Sequence, residues 1–244
     1  MDVQYSIAKP ATLSGSGLFH SEIATLTFKP APPDHGVVFV RKDLGAIEIP
    51  ALVTHVVKRP RRTSLRSGDA VIDTCEHCLS AVAGLGVDNL IIDLDGPELP
   101  VLDGSAKPYL DALVGAGLKA TDRPRKRLVV KEPVVIRKDN AMIAAMPCDD
   151  PEPQLIYELD YSVQCPFIGR QLHAFDFRNG DYAHEIAPCR TFTLEHEAAQ
   201  QKQQGLFTHL TADDALVISA NGLLGNNQFR FEDEPVRHKM LDLI

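Results

Sequence analysis

Apolar and polar residues alternate in short runs over the first 56 residues of the chain. Two of these runs, 23–28 and 37–40, are rich in β-forming residues, and clusters of Gly and Pro at 14–17 and 29–36 bound them. Short β-forming runs bounded by Gly and Pro are typical of hairpins. We therefore predict β-hairpins over this part of the chain.

After residue 72 the apolar positions recur at helical intervals. Asp73 or Thr74 can cap a helix there, and Gly84 and Gly86 can end it. The apolar positions of this helix, spaced four and three residues apart, are Cys75, Leu79 and Val82. A helix thus follows the predicted hairpins within the first half of the chain.

The rest of the first half continues this mixture. A strand-like run covers 89–94, turn residues follow it, and a second helix covers 106–114 with Gly115 as its stop. The polar stretch Thr121 to Arg127 contains a proline and lacks apolar periodicity, so it is our candidate linker. It divides the chain into predicted domains of residues 1–122 and 123–244.

The second half again has strands first and helices later. Strand-like runs cover 128–136, 141–146, 155–163, 172–177 and 215–219. Helical patterns cover 194–204, which Gly205 ends, and 235–244, where Pro235 suits a first helical turn. A turn is predicted at Asn221 and Gly222. Strands and helices mixed within each half predict an α+β fold.

Composition narrows the class of protein. Of the 244 residues 44% are apolar and 24% are charged, which is typical of a folded globular chain. Acidic residues outnumber basic ones 33 to 25, and the net charge of −8 argues against nucleic acid as a partner.

No run approaches the ~18 apolar residues of a membrane helix, so we expect no stable membrane insertion. Five cysteines, an odd number, favour a reducing compartment and hence the cytoplasm. The oligomeric state is left open.

Two short patterns predict a metal site that joins the halves. His238 and Asp242 are four residues apart and share one helix face, and Glu76 and His77 are adjacent at the start of the first helix. Neighbouring helical residues point about 100° apart, so His77 can bind a metal while Glu76 reaches a water molecule. Two histidines and one aspartate leave a fourth position open, as in catalytic zinc sites. The alternative is a solvated surface pair.

Three further patterns have simpler interpretations. Cys75 and Cys78 form a CxxC pair, but no second pair exists, so we interpret them as buried, inert thiols. The basic cluster at 58–66 is interpreted as a solvated loop or hairpin edge, with an anionic small ligand as the alternative. Thr191 precedes a predicted helix and is most simply an N-cap, although its hydroxyl could donate to a developing oxyanion.

Taken together, four ordered segments resemble the zinc-dependent UDP-3-O-acyl-N-acetylglucosamine deacetylases of bacterial lipid A synthesis. The resemblance covers nearly the whole chain. The segments are SGSGLFHSEIATLTFKPAPPDHGVVFVRKDL, TCEHCLSAVAGLGVDNLIIDLDGPELPVLDGSAKPYLDAL, PCRTFTLEHEAAQQKQQGL and RFEDEPVRHKMLD. The resemblance implies two domains, each a sheet packed with two helices, and an active site between them.

The resemblance also implies roles for individual residues. The implied zinc ligands are His77, His238 and Asp242. The implied catalytic residues are Glu76 as general base and Thr191 as oxyanion donor. The implied substrate contacts are Phe192 and Lys239, the latter to the anionic part of the substrate.

The implied reaction removes the N-acetyl group of UDP-3-O-(3-hydroxyacyl)-N-acetylglucosamine and releases acetate. Zinc polarises the acetamide carbonyl, Glu76 takes a proton from the attacking water, and Thr191 helps to hold the oxyanion. Ferrous iron is the alternative to zinc.

The sequence departs from the family pattern in two places. It ends at Ile244, before a Gly-Asp pair and a Ser-Gly-His motif whose histidine is the general acid. We expect either a longer natural chain or return of the proton by Glu76, and an end inside an amphipathic helix favours the former. The stretch THLTADD at 208–214 replaces a Gly-Gly-rich segment, with only Asp213 aligned, so acyl-chain length and substrate identity are left open.

Two alternatives to the enzyme therefore stand beside it. One is a non-catalytic homologue that keeps zinc and a sugar-nucleotide pocket but lacks the general acid. The other is a structural α+β module in which the His238 and Asp242 pair is solvated.

Overall fold

Strands and helices are mixed along the chain, as the sequence predicts. The computed structural model describes residues 3–150, 152–207, 209 and 215–244. The elements of the first half are β1 (Val3–Ile7), β2 (Ala11–Ser16), β3 (Ile23–Pro30), β4 (Val37–Arg41), β5 (Ile47–Pro50), β6 (Val56–Arg59), β7 (Arg62–Ser67), β8 (Ala70–Ile72), α1 (Glu76–Leu85), β9 (Leu90–Leu94), α2 (Lys107–Ala116) and β10 (Leu118–Pro124). Those of the second half are β11 (Val134–Lys138), β12 (Ala141–Ala145), β13 (Gln154–Asp160), β14 (Arg170–Asp176), α3 (Tyr182–Glu185), β15 (Phe192–Leu194), α4 (Glu195–Gln203), β16 (Leu216–Ser219), β17 (Gly222–Leu223) and α5 (Glu234–Leu243).

The main sheet of the first half has five strands in the order β2-β3-β9-β4-β5. Its β2–β3 and β4–β5 pairs are antiparallel and confirm the predicted hairpins, whereas β4 and β9 run parallel. Alternate residues of β3 and β9, such as Leu26, Phe28 and Ile92, are fully buried. This apolar face shares one core with residues of α1 and α2, so the sheet supports the helix that carries Glu76 and His77.

The ends of the first two helices differ from prediction. Neither Asp73 nor Thr74 caps α1, because Asp73 accepts a hydrogen bond from the Ser64 hydroxyl and Thr74 donates one to Glu98. Gly86 ends α1 in the left-handed conformation, as predicted. Two other predicted helix ends are wrong. Gly84 lies inside α1, and α2 continues past Gly115 to Ala116.

Strand β10 extends into the predicted linker. It pairs antiparallel with β1, with Ile7 opposite Leu118 and Val3 opposite Pro124, so the first four residues of the stretch Thr121 to Arg127 are strand. Nearly all side chains of β10 are exposed. Backbone pairing rather than an apolar face therefore holds this strand, and a search for apolar periodicity misses it.

The second half contains three smaller sheets among its described residues, β11–β12, β13–β14 and β15–β16–β17. Helices α4 and α5 lie within one residue of their predicted bounds at either end. The strand predicted over 128–136 begins only at Val134, because the pairing with β12 starts there and residues 128–133 pair with no described strand. The short helix α3 was not predicted. The stretch 208–214, except for His209, lies outside the described residues.

Helix α5 lies between two apolar cores. Its Met240 and Leu241 are fully buried in the large core with first-half residues, and its Val236 belongs to a smaller core with Leu194 and Leu216. The helix thus packs against both halves, and the residue between these anchors is His238. In the described part of the chain no helix is long and apolar enough to cross a membrane.

Candidate metal centre and cleft

Helices α1 and α5 bring three predicted ligands together. The Nε2 atom of His238 lies 3.4 Å from Oδ1 of Asp242, and Nε2 of His77 lies 3.8 Å from the same oxygen. One potential ligand atom of each residue lies within 4.8 Å of the others. Residues separated by 161 positions therefore converge on one point. His77 follows the first residue of α1, whereas the other two lie one turn apart on α5.

Hydrogen bonding sets the orientation of the His238 ring. Its Nδ1 lies 3.0 Å from the carbonyl oxygen of Cys189. A carbonyl can only accept, so Nδ1 carries the proton and Nε2 presents its lone pair towards Asp242. An imidazole held in this way by a backbone carbonyl is typical of a metal ligand.

Asp242 supplies the third potential metal ligand, a carboxylate oxygen that has no hydrogen-bond partner among the described residues. Its Oδ2 accepts a hydrogen bond of 2.7 Å from Nζ of Lys239. Its Oδ1 is buried and has no hydrogen-bond partner within the described chain. A buried acceptor that has two imidazole nitrogens beside it and no donor costs free energy unless a cation or proton satisfies it. These residues therefore fit a metal ion.

The protonation states also fit metal binding. Burial lowers the pKa of His238 to about 3 and also lowers the pKa of His77, so both rings are neutral at neutral pH. Burial alone would raise the pKa of Asp242, but the nearby His238 and Lys239 lower it further than burial raises it. Neutral imidazole and ionised carboxylate are the metal-binding forms.

Glu76 lies beside this cluster in the wall of the cleft. Its carboxylate accepts a hydrogen bond of 3.1 Å from the backbone N–H of Thr63. Burial, reinforced by the charge of Asp242, raises the pKa of Glu76 to about 7. A carboxyl group with a pKa near neutrality is suited to taking and giving protons.

The cleft itself has a volume of about 900 Å³. Of the predicted site residues, those that line it are Glu76, Thr191, Phe192, Lys239 and Asp242. A volume of this order is typical of a site for a small-molecule ligand. Nζ of Lys239 lies 5.6 Å from the centre of the Phe192 ring, so these two predicted substrate contacts are neighbours.

Thr191 does not cap a helix. Helix α4 begins at Glu195, and Thr191 precedes the short strand β15. Its backbone N–H donates to Gly104 (2.7 Å) and its carbonyl accepts from Leu216 (2.9 Å). The simplest prediction from sequence is therefore wrong, because a strand lies between Thr191 and the helix. The backbone is fixed on both sides, and the residue faces the cleft.

The basic cluster forms a hairpin, but it is not simply solvated. Strands β6 and β7 pair antiparallel, as a hairpin edge requires. Arg62 has only 11% of its side chain exposed and lies 3.3 Å from Asp73, and Arg61 forms two hydrogen bonds of 2.5 and 3.0 Å with Glu197 of α4. The turn thus reaches the opposite wall of the cleft. The sequence offers no signal for such a long-range pair.

Cys75 and Cys78 are fully buried in the large core, as predicted. Burial raises the pKa of both thiols, so they are protonated and unreactive at neutral pH. The structural module with a solvated pair is contradicted by the burial of His238, of which 1% is exposed.

Two buried histidines, an aspartate and a further carboxylate beside a large cleft define the class of metal-dependent hydrolases. The family described as LpxC, UDP-3-O-acyl N-acetylglycosamine deacetylase, matches residues 4–244, and the chain belongs to it.

Named relatives are similar over almost the whole chain. The UDP-3-O-acyl-N-acetylglucosamine deacetylase of Thermosynechococcus vestitus is 40% identical over 241 residues, which is 98% of this chain and 82% of that protein. The enzyme of that name from Chlamydia abortus is 37% identical over 241 residues, covering 99% of this chain and 85% of its own. The bifunctional enzyme LpxC/FabZ of Chlorobaculum tepidum is 35% identical over 270 residues, covering 99% and 57% respectively.

Proposed function

We propose that this protein is a zinc-dependent hydrolase that removes the N-acetyl group from a UDP-3-O-acyl-N-acetylglucosamine, as a step of lipid A biosynthesis. The observation that carries the proposal is the convergence of His77, His238 and Asp242 beside Glu76. Family membership supports the substrate class, because the relatives are named for it.

We assign the metal to the three converging residues. His77, His238 and Asp242 would hold it, and the unpartnered Oδ1 of Asp242 supports this assignment. When bound, zinc would supply a Lewis acid for the amide carbonyl and would make a water molecule more acidic. The nitrogen and oxygen donors suit zinc well.

The remaining residues move protons and position the substrate. Glu76 takes a proton from the water that attacks the amide carbonyl, and its raised pKa makes it a competent base near neutrality. The protonated Glu76 returns this proton to the amide nitrogen as the C–N bond breaks, so that acetate and a free amine leave. The hydroxyl of Thr191 donates a hydrogen bond to the oxygen on which negative charge develops. Lys239 and Phe192 offer a cation and an aromatic face to the nucleotide part of the substrate.

The proposal places the substrate between two proposed domains, residues 1–122 and 123–244. The first supplies Glu76 and His77, and the second supplies Thr191, His238 and Asp242. We also propose a cytoplasmic location, which suits the five unpaired cysteines of the described chain. Fractionation of cells that express a tagged chain tests this location, and recovery from an oxidising compartment would contradict it.

Elemental analysis tests the metal assignment. We expect about one zinc per purified chain and a loss of that zinc in His238→Ala. His184→Ala is the matched control, because His184 is an exposed histidine of α3 that lies outside the cluster. A His238→Ala protein that retains full zinc would contradict the ligand set.

Acetate release tests the chemistry. Glu76→Gln keeps the size and polarity of the side chain but cannot accept a proton, so we expect turnover to fall about 10²–10⁴-fold with zinc retained. Glu48→Gln, at an exposed position of β5, is the control for substitution of a glutamate. A zinc-loaded wild-type protein that binds substrate without releasing acetate would instead support the non-catalytic homologue.

A further inference from the structure

Two phenylalanine rings from opposite halves of the chain meet in the wall of the cleft. Phe19 lies in the loop after β2, and Phe207 follows α4. Both line the cleft, and their ring centres are 5.2 Å apart. The second half also lines the cleft with small side chains, among them Ala198 and Ala215. Alanines leave space for a ligand, whereas two packed rings occupy it.

The backbone beneath Phe19 is held firmly. The carboxylate of Glu98, of which only 1% is exposed, accepts hydrogen bonds from the backbone N–H groups of Leu18 (3.0 Å), Phe19 (2.9 Å) and His20 (2.8 Å). A buried carboxylate is costly unless it is satisfied in this way, so the loop and Glu98 stabilise each other. Movement of the loop would remove three backbone donors from that charge and leave it the hydroxyl of Thr74.

The rings are also held from the sides. The guanidinium of Arg62 lies 3.8 Å above the Phe19 ring, and Arg62 itself pairs with Asp73. A ring nitrogen of His209 lies 2.9 Å from the carbonyl oxygen of Gly17, which joins the same two segments again. The aromatic pair is therefore part of a fixed contact between the halves.

We propose that Phe19 and Phe207 form a stop that limits the length of the acyl chain that the cleft accepts. The inference rests on the proposed function, in which an acyl group is the most apolar part of the substrate. Each methylene that the cleft buries is worth about fourfold in affinity. Methylenes that would overlap the ring pair cannot be buried in the cleft. The affinity for the acyl chain therefore stops rising once the chain is long enough to reach the two rings.

Chain-length profiles of kcat/KM test the stop. The substrates are octanoyl and hexadecanoyl forms of UDP-3-O-acyl-N-acetylglucosamine, and the variants are Phe19→Ala and Phe207→Ala. We expect each variant to raise the hexadecanoyl-to-octanoyl ratio of kcat/KM by about tenfold or more. Phe167→Ala is the matched control, since Phe167 is exposed, stacks on Phe229 and is not among the residues that line the cleft.

A binding experiment separates this inference from the proposed function. Affinities for free octanoate and hexadecanoate are measured by calorimetry on the same proteins, and the shared carboxylate cancels in the ratio. A wild-type protein that hydrolyses neither substrate would contradict the proposed function, while the fatty-acid ratio would still test the stop.

Unchanged ratios in both assays, in variants that circular dichroism shows to be folded, would overturn the proposed stop. If the alanine variants do not fold, Phe19→Leu and Phe207→Leu shorten the obstruction with less loss of packing, and the same ratios decide.

Discussion

Thr191 and Thr193 lie two residues apart and both line the cleft. We expect Thr191→Val to lower kcat about 10²–10³-fold, because valine keeps the shape of threonine but cannot donate to the oxyanion. Thr191→Ser retains the hydroxyl and should recover most of the rate. Thr193→Val is the control, since the Thr193 hydroxyl makes only long hydrogen bonds of 3.5 Å. Steady-state kinetics of acetate release provide the measurement, and equal losses at the two threonines would remove Thr191 from the mechanism.

The proposed ligand residues were predictable because their patterns are local. The four-residue spacing of His238 and Asp242 already places both on one helix face, and the structure brings His77 to them. Phe19 and Phe207 carry no such signal. Their proximity depends on how two distant segments meet, and an isolated phenylalanine is more often a core residue. Contacts between the halves that involve no metal-binding side chains, such as this aromatic pair, therefore cannot be predicted from local patterns.

Helix α1 packs closely on α3 at a glycine. A Cβ built on Gly84 would overlap the ring of Tyr182, which is 6% exposed and hydrogen-bonded to Ser80. We expect Gly84→Ala to destabilise the protein by about 1–3 kcal/mol, because the anchored ring cannot move away easily. The free energy of unfolding in urea measures the effect.

Gly115 provides the opposite case in helix α2. A Cβ at this position meets nothing within 4 Å in the described structure. Gly115→Ala should therefore stabilise the protein by roughly 0.5–1 kcal/mol, since alanine is the better helix former. Equal effects of the two substitutions would show that the Tyr182 contact does not matter.

A buried ion pair fixes α5 relative to the segment before β15. Arg190 donates to Glu234 through Nε (2.9 Å) and through its backbone N–H (3.0 Å), and Glu234 is fully buried. Arg190 adjoins Thr191, and Glu234 lies one helical turn before His238. The pair thus fixes the position of the proposed oxyanion donor, Thr191, relative to the proposed zinc ligand His238.

Removal of one charge from this pair should be costly. We expect Glu234→Ala to lower the free energy of unfolding by about 3–5 kcal/mol, because it leaves the Arg190 guanidinium buried without its counter-charge. Glu232→Ala, at an exposed position two residues earlier, should change it by less than about 0.5 kcal/mol. A small effect at Glu234 would mean that the other partners of Arg190 are sufficient.

The four longer helices were predicted well, whereas the short helix α3 and some strands were not, for a physical reason. The helices α1, α2, α4 and α5 have either a repeated apolar face or clear terminal residues, and their predicted bounds differ from the structure by at most about three residues. Strand β10 has seven mostly exposed residues, and its pairing with β1 uses residues more than 110 positions away. Such pairing leaves no periodic mark in the local sequence.

Across the whole molecule the two halves meet at the cleft through several kinds of contact. Arg61 pairs with Glu197 beside it, and Arg230 lies 3.0 Å from Asp103. The large core also crosses between the halves, because Met240 of α5 is buried with first-half residues. A metal held by α1 and α5 would add a further link, and that link would exist only in the folded chain.

Metal removal should therefore destabilise the whole molecule. A ligand that binds the folded chain alone adds about 2.7 kcal/mol when its free concentration is 100 times Kd, which for a protein of this size corresponds to roughly 5–10 °C in Tm. We expect a chelator to lower the Tm of the wild-type protein by that order and added zinc to restore it. His238→Ala provides the control, because without this proposed ligand the Tm should respond little to chelator or zinc. The combination distinguishes a specific site from general effects of the chelator: a wild-type Tm that does not change, in protein shown to contain zinc, would mean that the ion does not link α1 to α5.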